Sequence, residues 1–477
     1  MMDKEAIYAR LPRFAQHLAC SVEGLRIQRS RYGPRFLKLL KEAESRDAWS
    51  QSQIEDYRDQ SLRQYVRHCA ETVPFFRNKL QQLGIAPADI RSIGDLRNLP
   101  ILGKADLVGQ MSNFQSEAVD LSKCIVSHTS GTTGSGLRFF VTREANWMQW
   151  AVTWRYRRWH GIDLDTKCAF FGGRSIVPIW QKRPPYWRYD FARHQILFSG
   201  YHISPKTLSL YIDELRRQQP PWICGYPSIL TLVASYIADN KTDLGYRPRW
   251  VTTLSENLLA QQRAIITAAF GVTPRQHYGM TEGAVNMGEC ELGRLHVDED
   301  FSAVEFIEDE FSLGARVVGS AFHNLATAFL RYEVGDRITL SKEKSCPCGR
   351  PGRLVEAIDG RHEDYVILRD GSMVGRMDHV FKDLVDIREA QIHQKIPGEI
   401  TVRIVRGSSY GSSEEQRLLQ ELQKRLGPET KTEIEYCDAL LRGKGGKLRF
   451  VVSDLNRGKI TSATSTSSAA EGLSHSR

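Results

Sequence analysis

The chain has 477 residues, 41% hydrophobic, 25% charged and 9% aromatic, which excludes a collagenous, disordered or disulfide-scaffold protein and leaves room for more than one domain. Lys and Arg (65) outnumber Asp and Glu (56), and the net charge of +9 suits a nucleic acid, an anionic surface or a phosphorylated ligand without choosing among them. Nine cysteines, an odd and sparse number, point to a reduced, cytoplasmic setting; charges interrupt the N-terminus, and no apolar run has the length of a signal peptide or membrane span.

In chain order, residues 1–120 read as mostly helical. Leu62, Tyr65, Val66, Cys69 and Val73 recur at roughly helical spacing, Pro74 breaks the run and Gly84 ends it. Six of the nine Trp cluster at Trp147, Trp150, Trp154, Trp159, Trp180 and Trp187 among basic residues. That mixture suits a single-strand nucleic-acid platform, but the spacing of Trp147, Trp150, Ala151, Trp154 and Arg158 better describes a packed helix face. Over residues 121–358 short β-rich runs (Cys124–Ser127, Cys168–Phe171, Trp222–Cys224, Trp250–Leu254) alternate with helical stretches, the pattern of an α/β domain with substantial parallel sheet. Residues 359–455 change scale: a strand at Glu399–Val405, a helix facing inward through Leu418, Leu422 and Leu426, and a strand at Thr432–Tyr436 predict a small α+β domain. The Ser/Thr/Ala-rich tail, 456–477, is expected to be disordered. Residues 359–477 carry 19 basic and 18 acidic side chains, so +8 of the +9 belongs to residues 1–358.

The most informative stretch is Ser127-His128-Thr129-Ser130-Gly131-Thr132-Thr133-Gly134-Ser135-Gly136, between two β-rich runs. Its glycines let backbone N–H groups approach an anion closely and its hydroxyls add donors, as a polyphosphate requires; the same residues also suit a flexible hairpin loop. No Gly-Lys-Ser/Thr closes it, so it is not a Walker A loop, and no dinucleotide fingerprint fits.

Five motifs follow one another: Thr129–Gly134, Tyr278-Gly279-Met280-Thr281-Glu282, Arg331-Tyr332-Glu333-Val334-Gly335-Asp336, Gly360-Arg361-His362-Glu363-Asp364 and Gly446-Lys447-Leu448-Arg449. Together they resemble the core motifs of the adenylate-forming (AMP-binding) superfamily. Val73–Phe76, Asn98–Lys104, Gly225–Ser228 and Cys346–Arg350 resemble its phenylacetate-CoA ligase and coenzyme F390 synthetase branch, including CapK-like members. The resemblance spans roughly residues 50 to 455 and implies an α/β fold: a large N-terminal domain with layered, largely parallel sheets and a small mobile α+β C-terminal domain.

It further implies that a carboxylate attacks the α-phosphorus of ATP, releasing pyrophosphate and leaving an acyl-adenylate that passes to an acceptor, CoA or another. Thr129, Ser130, Gly131, Thr132, Thr133 and Gly134 would hold the pyrophosphate, Tyr278 would stack on the adenine with Gly279 also in the ATP site, Asp336 would accept both ribose hydroxyls, and Arg361 would brace the ribose or phosphates. Thr281 would contact the α-phosphate and Glu282 would ligate Mg²⁺. Lys447 would be the catalytic lysine of the small domain, with Glu363 at the hinge, where the family usually has Asp. By family position the acyl pocket would be walled by Gly172, Gly173, Tyr226, Pro227, Ser255, Glu256 and Met280, which is compatible with an aromatic acid and does not demand one. Leu137 after Gly136, in place of the usual Lys, and Glu333-Val334, in place of the frequent Arg-Thr, depart from the family pattern.

Cys290, His296, Cys346 and Cys348 supply enough ligands for a closed tetrahedral Zn²⁺ site, although the tight Cys-x-Cys spacing also suits scattered buried thiols. The family's small-acid chemistry competes with three other readings: transfer of the adenylate to a sugar, amine or carrier protein; a catalytically weak nucleotide-binding relic; and, last, nucleic-acid binding, for which no known module is present. Oligomeric state is not legible.

Overall fold

The computed structural model describes residues 4–128, 137–174, 176–178, 180–204, 206–308, 314–361, 366–369, 373–374, 377, 380, 387–407, 410–440 and 448–455. It opens with helices α1 (Lys4–Arg10), α2 (Arg13–Arg31), α3 (Pro34–Ser45), α4 (Gln51–Thr72), α5 (Pro74–Leu83) and α6 (Lys104–Leu107). Helix α4 starts in a reciprocal cap: Ser50 Oγ accepts from Gln53 N at 3.2 Å and Gln53 Oε1 accepts from Ser50 N at 2.9 Å. Pro74 then fits the first turn of α5, and Gly84, at φ 63°, closes that helix in the left-handed conformation.

A hairpin of β1 (Ile125–His128) and β2 (Arg138–Val141) leads into α7 (Arg143–Trp159), whose first turn is capped by Thr142 Oγ1 accepting from Ala145 N at 3.1 Å. Next come β3 (Cys168–Gly172), β4 (Trp187–Asp190), β5 (Gln195–Ser199), α8 (Leu208–Gln218), β6 (Trp222–Gly225), α9 (Pro227–Asp239), β7 (Trp250–Leu254), α10 (Ala260–Phe270) and β8 (Arg275–Gly279). The chain then turns to strands: β9 (Asn286–Glu289), β10 (Leu295–Val297), β11 (Ala303–Ile307), β12 (Ala315–Ser320), β13 (Tyr332–Leu340) and β14 (Leu354–Arg361).

Twelve of these strands form one sheet in the order β11-β12-β13-β14-β10-β9-β8-β7-β6-β3-β5-β4. Its parallel part is the run β8-β7-β6-β3-β5, where α8, α9 and α10 supply the crossovers into β6, β7 and β8 and the β3-to-β5 connection runs through β4. The remaining neighbours pair antiparallel, so the sheet changes character between β8 and β9, beside the Tyr278–Glu282 motif. Trp154 and Ala151 of α7 are buried and Trp147 and Trp150 partly so, which makes the Trp-rich stretch a packing face.

The small unit contains β15 (Val366–Ile367), β16 (Met373–Val374), β17 (Ile387–Ile396), β18 (Glu399–Arg406), α11 (Ser412–Leu426), β19 (Lys431–Tyr436) and β20 (Val451–Ser453), with a sheet ordered β19-β18-β17-β20. Leu418, Leu422 and Leu426 of α11 are buried in its own core with Ile392, Val402 and Val451, as the helical spacing predicts. Strand β14 still belongs to the large sheet through Arg361, so the change of unit follows that residue.

A buried ionic cluster ties the helical N-terminus to the sheet. Asp298, Glu299 and Asp300, between β10 and β11, are each at most 3% exposed. Arg155 of α7 reaches Asp298 at 2.7 Å and Asp300 at 2.8 Å; Arg46, after α3, meets Asp300 at 2.6 Å; Arg58 of α4 meets Glu299 at 2.9 Å, and Arg353 also pairs with Glu299. Burial opposes the charge on Glu299, but Arg353 and Arg58 overcome it and hold its carboxyl below the ordinary value of 4.5. A depressed carboxyl contributes stability that is present above its unfolded value and is lost as pH falls through its folded value. Replacing Glu299 by Gln is therefore expected to cost about 3–5 kcal/mol at neutral pH, because it leaves buried guanidinium charge unbalanced. In urea unfolding followed across pH, that deficit relative to the unsubstituted protein should shrink below the ordinary glutamate value of 4.5.

Candidate functional site

A cavity of about 930 Å³ opens along the sheet where parallel pairing gives way to antiparallel. Its wall is assembled from seven parts of the chain: Arg31; Gly103 and Lys104; the β1–β2 hairpin (Ile125, Val126, Ser127, Val141); one face of α7; Arg174 after β3; the ends of β6 to β8 with the turn that follows; and Tyr332–Gly335 of β13. The volume lies in the range of small-molecule sites, about 300–1,000 Å³.

The turn after β8 carries Met280, Thr281 and Glu282 onto this wall. Gly283, at φ 70°, lets the chain reverse, with its N–H bonded to the Met280 carbonyl at 3.2 Å. From the other side Gln149 of α7 donates to the same carbonyl at 2.6 Å. Thr281 donates its hydroxyl to Glu282 Oε2 at 3.1 Å, both side chains being solvent-facing. Gly279 is demanded by packing: a Cβ there would stand 2.8 Å from Asn286 Oδ1 and 3.2 Å from His277 Cε1.

Tyr278 and Asp336 are the chain neighbours of the wall residues Gly279 and Gly335, and the Tyr278 hydroxyl donates to the Asp336 carboxylate. This bond joins two motifs far apart in sequence. In the same ladder Asp336 is the register partner of Arg361; the Arg361 side chain lies outside the described residues. Arg331, which opens the third motif, is an anchor: it is buried, pairs with Glu305 at 3.1 Å and donates to the Leu99 carbonyl. Its own carbonyl takes Leu102 N at 3.0 Å, and Leu102 O takes Glu333 N at 2.8 Å. These bonds lay the Asn98–Lys104 segment along β13 and bring Lys104 to the cavity.

Of the expected site residues, Ser255, Gly279, Met280, Thr281 and Glu282 line the cavity, while Gly172, Gly173, Tyr226, Pro227 and Glu256 are absent from its described wall. Gly172 is needed for core packing, since a Cβ would stand 2.3 Å from the Phe170 ring, and half-buried Tyr226 packs against the core between the parallel strands and their helices. Glu256 joins the two units: Oε2 accepts from Ser228 N at 3.1 Å and Oε1 from Leu448 N at 3.1 Å. Thr129, Ser130, Gly131, Thr132, Thr133, Gly134, Glu363 and Lys447 lie outside the described residues. The flanks of the first motif, Ser127 and Val141, are on the wall, and Leu448 directly follows Lys447.

Several wall residues carried no sequence signal of their own: Arg31, Tyr156, Arg157, Arg174, Thr252 and Thr253. Tyr156 and Arg157 sit inside the Trp-rich helix, where spacing identifies a packing helix without saying which neighbours form a cavity. Arg157 lies over the rings of Trp154 and Trp222, 4.4 and 5.0 Å from their centroids. Arg31, Lys104, Arg157 and Arg174 outnumber Glu282 and Glu333 on the wall, a field suited to an anionic ligand. Burial, with Arg157 nearby, lowers the His277 imidazole to about 3, so it is neutral at ordinary pH.

A second cluster sits beyond β9 and β10. The ligand atoms of Cys290, His296, Cys346 and Cys348 all lie within 4.8 Å of one another. Cys290 Sγ and Cys346 Sγ are 3.8 Å apart, and Cys348 Sγ is 3.4 Å from His296 Nε2. A tetrahedral ion with thiolate bonds of about 2.3 Å requires sulfurs about 3.8 Å apart. His296 Nδ1 faces the Pro351 carbonyl at 3.1 Å, which leaves Nε2 toward the thiols, the arrangement of an oriented metal ligand.

Residues 366–454 match the family described as the CapK C-terminal domain. The chain is 24% identical to protein CapK of Staphylococcus aureus over 94% of its own length and 99% of that protein. It is 24% identical to the phenylacetate-coenzyme A ligase of Thermus thermophilus over 65% of this chain and 71% of the relative. Among solved structures it is similar to 2-hydroxyisobutyryl-CoA ligase in the postadenylation state, with a TM-score of 0.66, 18% identity, and coverage of 86% of this chain and 91% of that one. The same ligase in its thioesterification state gives 0.53. The chain is thus similar to CapK over nearly its whole length and shares the fold of 2-hydroxyisobutyryl-CoA ligase.

Proposed function

We propose that this protein activates a carboxylic acid with ATP, forming an acyl-adenylate and pyrophosphate, and then transfers the acyl group to the thiol of CoA. The observation that carries this reading is the convergence on one cavity of the Thr281–Glu282 turn, the strand leading to Asp336 and the flanks of the Thr129–Gly134 loop. The likeness to phenylacetate-CoA ligases and to the 2-hydroxyisobutyryl-CoA ligase fold supports CoA as the acceptor.

In this reading the developing charge lies on the phosphates, and the chain's task is to meet it with fixed donors and cations. The Thr129–Gly134 loop holds the leaving pyrophosphate, Thr281 donates to the α-phosphate, and the Asp336 carboxylate accepts from the ribose hydroxyls, exchanging its bond from Tyr278 for them. Glu282, exposed beside Thr281, is the carboxylate that would hold Mg²⁺, which supplies charge neutralisation at the phosphates. Lys447 neutralises carboxylate and α-phosphate together during adenylation and leaves when the small unit turns about Glu363 for thioester formation. The contact from Glu256 to Leu448 N supports this view, since it brings the backbone next to Lys447 against the large unit.

We also propose that Cys290, His296, Cys346 and Cys348 hold a structural Zn²⁺. Four protein ligands would leave no open position, so its role is to pin the β9–β10 turn to the loop between β13 and β14.

Exchange of labelled pyrophosphate into ATP, dependent on added acid, tests the first proposal; folded, ATP-binding protein that shows no exchange with any acid would refute it. Replacing Lys447 by Ala should lower adenylation by about 100-fold or more while sparing thioester formation from supplied acyl-adenylate, and equal losses in both half-reactions would contradict the hinge. For the metal, protein purified without chelators should contain about one zinc per chain, and Cys290→Ser should lower both zinc content and thermal midpoint. Zinc-free protein of unchanged midpoint would refute the site.

A further inference from the structure

Helix α2 has two working faces. The inner one closes the large sheet at its edge strand β4: Gln16 Oε1 accepts from Arg188 Nε at 2.7 Å, His17 Nδ1 from Tyr189 N at 3.0 Å and Ser21 Oγ from Phe191 N at 3.1 Å. Gly24 lets the helix settle onto Asp190, since a Cβ there would run into the carboxylate. A helix that covers a sheet edge in this way ordinarily turns polar side chains to solvent. Here the outer face is apolar. Phe14 is 75% exposed, Leu18 63% and Val22 59%, and Leu25 is exposed with them. At about 3.6 residues per turn these four fall within about 80° of arc, opposite buried Gln16, Gly24 and Ile27. Phe191, whose N–H Ser21 holds, is 69% exposed along one border of the stripe. A contiguous exposed apolar patch marks an interaction surface.

The charges around the stripe identify what covers it. Arg10 and Arg13 stand at one end and Arg26 and Arg29 at the other, all exposed. The acidic residue of α2, Glu23, is already bonded to Arg26. Symmetry disfavours a second copy of the chain: two such stripes packed about a two-fold axis, parallel or antiparallel, set guanidinium against guanidinium with no free carboxylate to answer. An acidic protein is a weaker match, because a single helix ridge is convex, whereas stable protein interfaces bury about 800 Å² a side. An anionic lipid surface meets both features at once, taking the Phe and Leu side chains into the acyl boundary and pairing the guanidiniums with phosphates. Bound along β4 by its inner face, α2 would lie in such a surface; no described helix is long and apolar enough to cross a membrane.

We propose that α2 and the Phe191 turn dock the protein reversibly onto an anionic lipid surface, with the stripe from Phe14 to Leu25 entering the headgroup boundary and Arg10, Arg13, Arg26 and Arg29 meeting lipid phosphates. The same helix ends in Arg31 on the cavity wall, so a docked chain keeps its cavity within one helix length, about 30 Å, of the headgroups. Docking does not depend on the reaction proposed above.

The test is sedimentation of the full chain with vesicles of phosphatidylcholine alone and of phosphatidylcholine mixed with phosphatidylglycerol. At low salt the chain should go down with the mixed vesicles and stay in solution with the neutral ones, and raised salt should release it. Leu18→Glu combined with Val22→Glu, or Arg26→Gln combined with Arg29→Gln, should each lower binding about tenfold or more. All four side chains face solvent, so the thermal midpoint of the variants should not fall, which separates a lost docking face from a damaged fold. Absence of binding to the mixed vesicles at low salt would overturn the proposal. Binding that survives the paired Leu18 and Val22 substitutions would overturn it too, by assigning the attraction to charge elsewhere on the chain. A chain that ignores vesicles and sediments as a dimer, which the same pair of substitutions dissociates, would overturn it in favour of a second copy.

Discussion

Arg155 reaches two buried aspartates from the middle of α7, and the position of that helix sets most of what the cavity can be. Taking these charges out of water is expensive, and a buried pair of this kind contributes little net stability compared with a well-packed apolar substitute. What it contributes is placement. A guanidinium bonded to both Asp298 and Asp300 fixes the rotation and axial position of α7 against the loop between β10 and β11. Burial, outweighing the pull of Arg155, and the neighbouring Asp300 charge push Asp298 up to about 6, whereas Asp300, held by Arg155 and Arg46 against the same burial penalty, stays ionised. The next two residues of the helix, Tyr156 and Arg157, are cavity wall, and one turn and a half earlier Gln149 holds the carbonyl of Met280. This stretch of the wall and the turn bearing Thr281 and Glu282 thus share one reference point.

The antiparallel half is referenced differently, through backbone. The reciprocal bonds between Leu102 and β13 lay an N-terminal segment beside the strand that leads to Asp336, and buried Arg331 closes the same seam with Glu305 and the Leu99 carbonyl. The Cys290–His296–Cys346–Cys348 cluster lies at the other end of these strands, where β9, β10 and the loop before β14 meet. The net charge of the large unit has a local expression here as well, in four cationic side chains around one cavity.

How much of this was legible in the sequence depends on the range of the interaction. Pro74 and Gly84 act within a few residues, and the break between α4 and α5 and the end of α5 follow from them. Leu418, Leu422 and Leu426 name the buried face of α11 through spacing alone. The five motifs could be picked out because each is a short run whose order along the chain is itself informative, and the Cys/His cluster because few residue types ligate soft metals. Partners such as Arg155 and Asp300, 145 residues apart, leave no local trace. Tyr156 was hidden for another reason: periodicity counts a tyrosine as an apolar residue, and only the folded arrangement shows that its buried hydroxyl has no partner among the described residues. Family position placed Glu256, Tyr226 and Pro227 in an acyl pocket, whereas the described cavity wall turns to α7 and β7, a matter of which loop crosses which strand end.

Glu256 deserves a mechanical reading. One of its oxygens takes an N–H in the first turn of α9, where the helix terminus favours an anion, and the other takes the N–H of Leu448. Were the small unit to turn away, the carboxylate would keep its helix partner and gain water in place of Leu448, so no uncompensated charge would be left behind. Parting costs about the worth of one charge-assisted hydrogen bond, about 1.5–3 kcal/mol, and less to the extent that solvent already reaches it. A contact of that size is a detent: firm enough to favour one setting of the small unit, and weak enough to be released and re-engaged.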